Sequence, residues 1–278
     1  MYNMNTNTIN ILVTLDSNYI PPLKVMLKSL FMNNSNEYFY IYLAHSKIKS
    51  EEIKDLENFV NKYNQKIIEI KISDDLFKDS PALLYYPKEM YYRLLAHKFL
   101  PKNLDKILYI DPDILILNPI RELYEINLEN NLYGAAYRDN LPVTAFSKIR
   151  FLPHKIDVYY NSGVLLMNLD QHRKTIDENK IFSFIEKNRS KLLLPDQDLI
   201  NIMYSKNIKN IDEVKYNYDT RLFDYYRIKS KGKYDMDYVI GNTVIMHFCG
   251  PSKPWKKNYR GRFHALYKHY EKITERDE

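Results

Sequence analysis

Glycine is scarce in this chain. The six glycines stand at positions 134, 163, 232, 241, 250 and 261, and no two are spaced for G-x-G-x-x-G or G-x-x-x-x-G-K-[ST]. Both glycine-rich phosphate cradles are therefore excluded, and a diphosphate held here would have to be neutralised by a cation and side chains. Cysteine is scarcer still. Cys249 stands alone, so no intrachain disulfide forms, which is compatible with a reducing compartment. No apolar run approaches the roughly 18 residues of a membrane-spanning helix. The opening MYNMNTNTIN has no basic stretch leading into an apolar one, so no secretory signal is expected. Charge of one sign is also lacking: 41 basic against 35 acidic residues leave +6, a mild tilt towards anionic ligands without the footprint of nucleic-acid binding.

What is present is a large apolar fraction. With 278 residues, 45% hydrophobic and 27% charged, the chain can bury a sizeable core in one α/β domain. Strands are expected at 9–15, 39–43, 66–72, 106–117, 132–137, 164–169 and 243–248. Helices are expected from Pro21 onward and at about 50–63, 88–100 and 181–189, with a further one through DLINIMYS. Strand and helix alternation of this kind predicts a mostly parallel sheet flanked by helices. Segments 141–158 and 217–238 show no clear period, and the first reads as a long loop.

The organising stretch is KILYIDPDILIL, residues 106–117, in which two carboxylates interrupt an apolar, β-branched run. Unpaired charge is costly in such surroundings. Residues i and i+2 of an extended chain point the same way, so Asp111 and Asp113 can converge. Pro112 stiffens the pair. Two preorganised oxygen ligands suit a divalent cation such as Mg²⁺ or Mn²⁺, although Asp-Pro-Asp is also turn chemistry.

Other polar groups gather at strand ends: Asp16 and Asn18 after the first strand, Asp139 after LYGAAY, Asn161 before VLLMNL, and His247 with Lys253 after TVIMHF. In open parallel sheets, ligands collect at the carboxyl edge. An imidazole beside two carboxylates suits Mn²⁺, Fe²⁺ or Zn²⁺, and Lys253 suits a phosphate. Asp196 has the position of a helix N-cap, which would leave Gln197 and Asp198 in the first turn. Arg93 falls in the helix expected at 88–100, where an ion pair with Glu89 is its plain role.

Six segments in order, LDSNY (15–19), YYRLLAHKFLP (91–101), KILYIDPDILI (106–116), YYNSGVLLMNL (159–169), LPDQDLIN (194–201) and HFCGPSKPW (247–255), resemble glycosyltransferase family 8. That group includes bacterial lipopolysaccharide galactosyl- and glucosyltransferases and glycogenin. The resemblance implies a single GT-A, Rossmann-like domain over residues 1–255, which moves a hexose from a UDP-sugar to a saccharide or glycolipid acceptor with retention, using Mn²⁺ or alternatively Mg²⁺. It implies that Asp111, Asp113 and His247 hold the metal. Thr14, Asp16, Asn18 and Tyr19 would meet the nucleoside, and Gly250 and Lys253 the phosphates. Arg93, Asn161, Asp196 and Gln197 would line the donor sugar, with Arg93, Asp196, Gln197 and Asp198 as the catalytic candidates and Asp139 among the residues that bind the donor. The position of the aspartate is shifted here, since Arg138 follows the Gly-Ala pair and strand before Asp139.

Two other classes fit parts of the pattern: a nucleotidyltransferase acting on sugar phosphates, and a non-catalytic carbohydrate-binding module. The basic, aromatic tail at 256–278 has the composition to touch an anionic membrane. The expected location is thus cytoplasmic, or peripheral on the inner face of the membrane.

Overall fold

In the first strand, β1 (Thr8–Thr14), Ile9, Ile11 and Val13 face one buried layer and Leu12 faces the other. This two-sided burial is why the strand is apolar almost throughout. The computed structural model describes residues 8–73, 88–137 and 157–276. After β1 a 3₁₀ turn at Ser17–Tyr19 leads into α1 (Ile20–Asn33), with Pro21 and Pro22 in its first turn, where a missing N–H costs nothing. β2 (Tyr38–His45), α2 (Ser50–Asn61) and β3 (Lys66–Lys71) follow. Glu52 accepts hydrogen bonds from the Lys49 backbone N–H at 3.0 Å and from Ser17 Oγ at 2.8 Å, which ties the start of α2 to the turn after β1.

The helix expected at 88–100 is broken into α3 (Lys88–Leu94) and α4 (Ala96–Phe99) at Leu95, whose φ of −112° and ψ of 22° leave the helical region. β4 (Lys106–Ile110) then crosses back beside β1. β5 (Ile114–Ile116), β6 (Tyr133–Ala135), β7 (Val164–Asn168), α5 (Leu169–Thr175), α6 (Glu178–Asn188), α7 (Pro195–Tyr204) and β8 (Ile208–Asn210) follow in turn. β9 (Tyr218–Asp219), β10 (Ile245–His247) and α8 (His264–Glu275) complete the named elements.

The large sheet has the order β3-β2-β1-β4-β7-β6-β8. All its strands run one way except β7, which is antiparallel to both β4 and β6. That reversal brings the amino end of β7, with Asn161, to the carboxyl edge of the others. Strand order also reverses between β1 and β4, so a crevice opens there between the groups that follow each.

The run 106–117 is not one strand. β4 belongs to the large sheet, whereas β5 pairs antiparallel with β10 in a second sheet of order β5-β10-β9. Asp111–Asp113 is the step between the sheets, and an apolar run reads the same whether one sheet or two receives it. Behind the small sheet an aromatic cluster gathers Tyr218, Phe223, Tyr226, Phe248, Phe263 and Tyr267. Through it α8 docks on α1, where Asn33 Nδ2 donates to Tyr270 Oη at 2.9 Å. Among the described residues no helix is long and apolar enough to cross a membrane.

Candidate active site

Asp111 and Asp113 converge with His247, so that one ligand atom from each lies within 4.8 Å of the others. Each is fixed by a different part of the fold. The Asp111 N–H donates to the Gly163 carbonyl at 2.8 Å, and its Oδ1 accepts from Tyr109 Oη at 2.5 Å. Arg93 reaches the same oxygen at 3.2 Å. Asp113 is buried, with His247 Nε2 3.4 Å from Oδ1 and Lys253 Nζ donating to Oδ2. Lys253 also donates to the Phe248 carbonyl at 3.1 Å, which pins the Gly250–Pro254 turn to the end of β10. Burial alone would push the Asp113 carboxyl up, but His247 and Lys253 outweigh it and hold the group well below the usual carboxylate range.

The imidazole is oriented from behind. His247 Nδ1 donates to Asn217 Oδ1 at 2.8 Å, and Asn217 Nδ2 donates to Asn161 Oδ1 at 2.9 Å. This chain fixes the tautomer and leaves Nε2 facing the carboxylates, the arrangement of a metal-ligating histidine with an outer partner. Gly163 leaves room for it: a Cβ there would lie 2.3 Å from His247 Cε1 and 2.7 Å from Asp111 Oδ2. Two carboxylates, a correctly presented imidazole and a cradle that a single methyl would fill make a set that fits Mn²⁺ or Mg²⁺.

The two carboxylates stand where two hollows meet. One, of about 370 Å³, is walled by Thr14, Leu15, Asp16 and Tyr19. The other, of about 440 Å³, is walled by Asn161, Ser162, Gln197, Arg221, Cys249 and Gly250. Arg93, Asp111, Asp113, Asp196 and Lys253 border both. Asp16 is exposed and caps the 3₁₀ turn by accepting from the Asn18 N–H at 2.8 Å. Tyr19 stacks edge-on against Trp255 at 5.9 Å. Asn18 is the candidate that stands apart, for it lines a separate groove with Glu52, Asp55 and Trp255.

Arg93 is a largely buried cation that borders both hollows. It bridges Asp111 and Asp196 at 3.2 and 3.1 Å, donates to the Ser162 carbonyl at 3.2 Å and stacks 4.4 Å from the Tyr109 ring centre. Burial opposes its charge, but Asp111 and its neighbours raise its pKa. Asp196 does not cap its helix. Leu194 occupies that position, Pro195 is the first helical residue, and Asp196 points into the cleft, where Ser162 Oγ donates to it at 2.9 Å. The carboxylate that reaches back is Asp198, which accepts from the Leu193 and Leu194 N–H groups at 2.9 and 3.0 Å and from Tyr159 Oη. Gln197 Oε1 accepts from the Ser162 N–H at 3.1 Å. Asp139 and most of the loop at 141–158 lie outside the described residues.

Asn217, Asp219 and Arg221 were not singled out by sequence reasoning. Asp219 is buried and grips Arg221 with both oxygens, at 2.9 and 2.7 Å. Gly250, at φ +88°, lies so close that a Cβ would come within 2.6 Å of Arg221 Nη1. These residues sit in a stretch with no apolar period. The only signal was the density of turn-forming Asn and Asp residues around short aromatic pieces.

Residues 10–259 match the family model for glycosyl transferase family 8. Lipopolysaccharide 1,2-glucosyltransferase of Escherichia coli is 29% identical over 256 residues, which cover 89% of this chain and 73% of that one. Lipopolysaccharide 1,3-galactosyltransferase of Salmonella typhimurium is 23% identical over 254 residues, 88% of this chain and 72% of that one. Among solved structures, the galactosyltransferase LgtC in complex with donor and acceptor sugar analogues matches with a TM-score of 0.78 at 20% identity, over 95% of this chain and 96% of that one. This last likeness is one of fold, the mostly parallel α/β architecture expected of a GT-A domain.

Proposed function

The chain belongs to glycosyl transferase family 8, and from that premise we propose that it moves a hexose from a UDP-sugar to a saccharide or glycolipid acceptor, with retention, in a Mn²⁺-dependent reaction. The observation that carries this reading is the placement of Asp111, Asp113 and Lys253 on the shared border of two hollows. A diphosphate lying across that border would put its nucleoside beside Thr14, Asp16 and Tyr19, and its sugar beside Arg93, Asn161, Asp196 and Gln197. Asp111, Asp113 and His247 would hold the cation, which supplies Lewis-acid neutralisation of the leaving diphosphate. Lys253 adds a fixed positive charge on the same side. Membership of this family favours transfer over the nucleotidyltransferase and binding-module readings.

Retention requires either a covalent sugar intermediate or attack on the face from which the phosphate departs. The carboxylates favour the second. Asp198 is spoken for by two backbone N–H groups and Tyr159, and Asp196 by Arg93 and Ser162, while an amide such as Gln197 is a weak nucleophile. The departing phosphate then takes the acceptor's proton. UDP release from a panel of UDP-hexoses, followed with and without Mn²⁺ and without acceptor, tests the reading. Mn²⁺-dependent release from UDP-glucose or UDP-galactose is expected. No release from any UDP-sugar, with turnover of a sugar phosphate plus UTP instead, would replace it with nucleotidyl transfer.

A further inference from the structure

β9 and β10 run parallel, with Asp219 beside His247 in the register. Strands paired in this way lie about 4.8 Å apart, so Arg221, two residues past the end of one, emerges against Cys249 and Gly250, which follow the end of the other. A buried acid fixes it there. Asp219 takes Nε and Nη2 of the guanidinium at 2.9 and 2.7 Å, while the Arg221 side chain as a whole is 47% exposed on the wall of the larger hollow. The turn itself does not need this fork, because the same carboxylate already accepts from the Arg221 N–H at 3.0 Å. What the fork sets is the direction of the guanidinium.

A guanidinium carries five N–H donors, and Asp219 occupies one edge. The next edge, made by Nη1 and the second Nη2 hydrogen, meets no acceptor among the described residues. Nη1 lies over Gly250, where a Cβ would come within 2.6 Å of it. The other two cations that line the hollows are already engaged with acids: Arg93 bridges Asp111 and Asp196, and Lys253 is bound to Asp113. Among the described residues of the cleft, Arg221 is thus the cation that keeps an unused fork, and a fork of this shape matches two oxygens of one phosphate. The turn beneath it joins the two walls, since Gly250 lines the larger hollow and Lys253 borders both.

We propose that Arg221 is a catalytic residue, its open edge binding the sugar-bearing phosphate of the donor against Gly250 and meeting the charge left there when the sugar departs. The inference rests on the UDP-sugar reading and adds a residue to it. In the transfer, the anomeric C–O bond breaks with its electron pair on the phosphate oxygen, the acceptor oxygen bonds the anomeric carbon, and the acceptor's proton passes to the phosphate. Donors already fixed in place need no reorganisation to meet that charge.

Affinities for UDP and UMP, measured by titration calorimetry of the full chain with Mn²⁺, test this, since UMP lacks the second phosphate. Arg221→Gln should bind UDP at least about tenfold more weakly than the wild-type chain and UMP equally well. Arg221→Lys keeps a charge beside Asp219 but loses the fork, so it should melt as the wild type does and still bind UDP more weakly, with UMP unchanged. The assignment is wrong if either variant binds UDP as the wild-type chain does. It is equally wrong if both variants lose UMP as much as UDP, the mark of a purely structural pair. A wild-type chain that binds no UDP would overturn this inference and the UDP-sugar reading together, whereas the other two failures leave that reading standing.

Discussion

Asp111 and Asp113 are one residue apart, yet they belong to different halves of the molecule. Asp111 ends a strand of the seven-stranded sheet and answers to Arg93 and Tyr109. Asp113 precedes a strand of the three-stranded sheet and answers to Lys253 and His247. The large sheet is held by a mostly aliphatic layer on one face and by a layer mixing aliphatics with buried tyrosines such as Tyr91, Tyr92, Tyr109 and Tyr133 on the other, and the small one by a knot of tyrosines and phenylalanines. The difference teaches that the site is built at a seam. Each half supplies ligands already anchored by its own partners, and the Asp-Pro-Asp step sets them against one another.

The seam can be attacked from either side. On the large-sheet side, Arg93→Met would leave Asp111 and Asp196 without their shared cation, 85% buried as it is in its side chain. Breaking a buried pair of this kind costs about 3 kcal/mol, so a lowered denaturation midpoint with loss of turnover is expected; an unchanged midpoint would show that the bridge is not structural. At the seam itself, Gly163→Ala puts a methyl into contact with both His247 and Asp111. A displacement of that size should lower kcat/KM about a hundredfold while the chain stays folded by circular dichroism.

On the small-sheet side, Asn217→Ala removes the partner that orients His247. Mn²⁺ affinity should weaken about tenfold or more, read by calorimetric titration, with little change in the melting temperature of the metal-free chain. The smallest effect contrasts the halves by pH. His172, buried beside β6 with Nε2 donating to the Leu132 carbonyl at 3.1 Å, has its pKa pushed down to about 3 by burial, and His97 next to it to about 4. Both imidazoles are neutral in the folded chain. Their contribution is present above the ordinary value of 6.5 and is lost as pH falls towards the folded values. Acid should therefore weaken the large sheet, and His172→Gln should flatten the fall in melting temperature between about pH 6.5 and about pH 4.

Much of this was legible in the residues. Apolar period placed β1, α1, α2 and β3, and the paired carboxylates with His247 and Lys253 stood out against the apolar runs that deliver them. The direction of β7 was not legible, because a strand buried on both faces looks alike either way round. Nor was the division of residues 106–117 between two sheets. Asn217, Asp219 and Arg221 escaped because their segment is held by side-chain hydrogen bonds and ring contacts, which impose no repeat on the sequence. The helix cap was misread from sequence by one turn chemistry winning over another: Pro195 starts the helix, so Asp196 is not its N-cap, and Asp198 does the reaching back that an N-cap would have done.

The seam is tested most directly by the Mn²⁺ affinity of the chain in the presence of UDP, measured by titration calorimetry before and after Asp113→Ala. A ligand contributed by the small sheet should be indispensable, so binding is expected to weaken at least about a hundredfold with the melting profile of the metal-free chain still cooperative. Equal affinity in the two chains would mean that the cation, if it binds, is held somewhere other than between the two sheets.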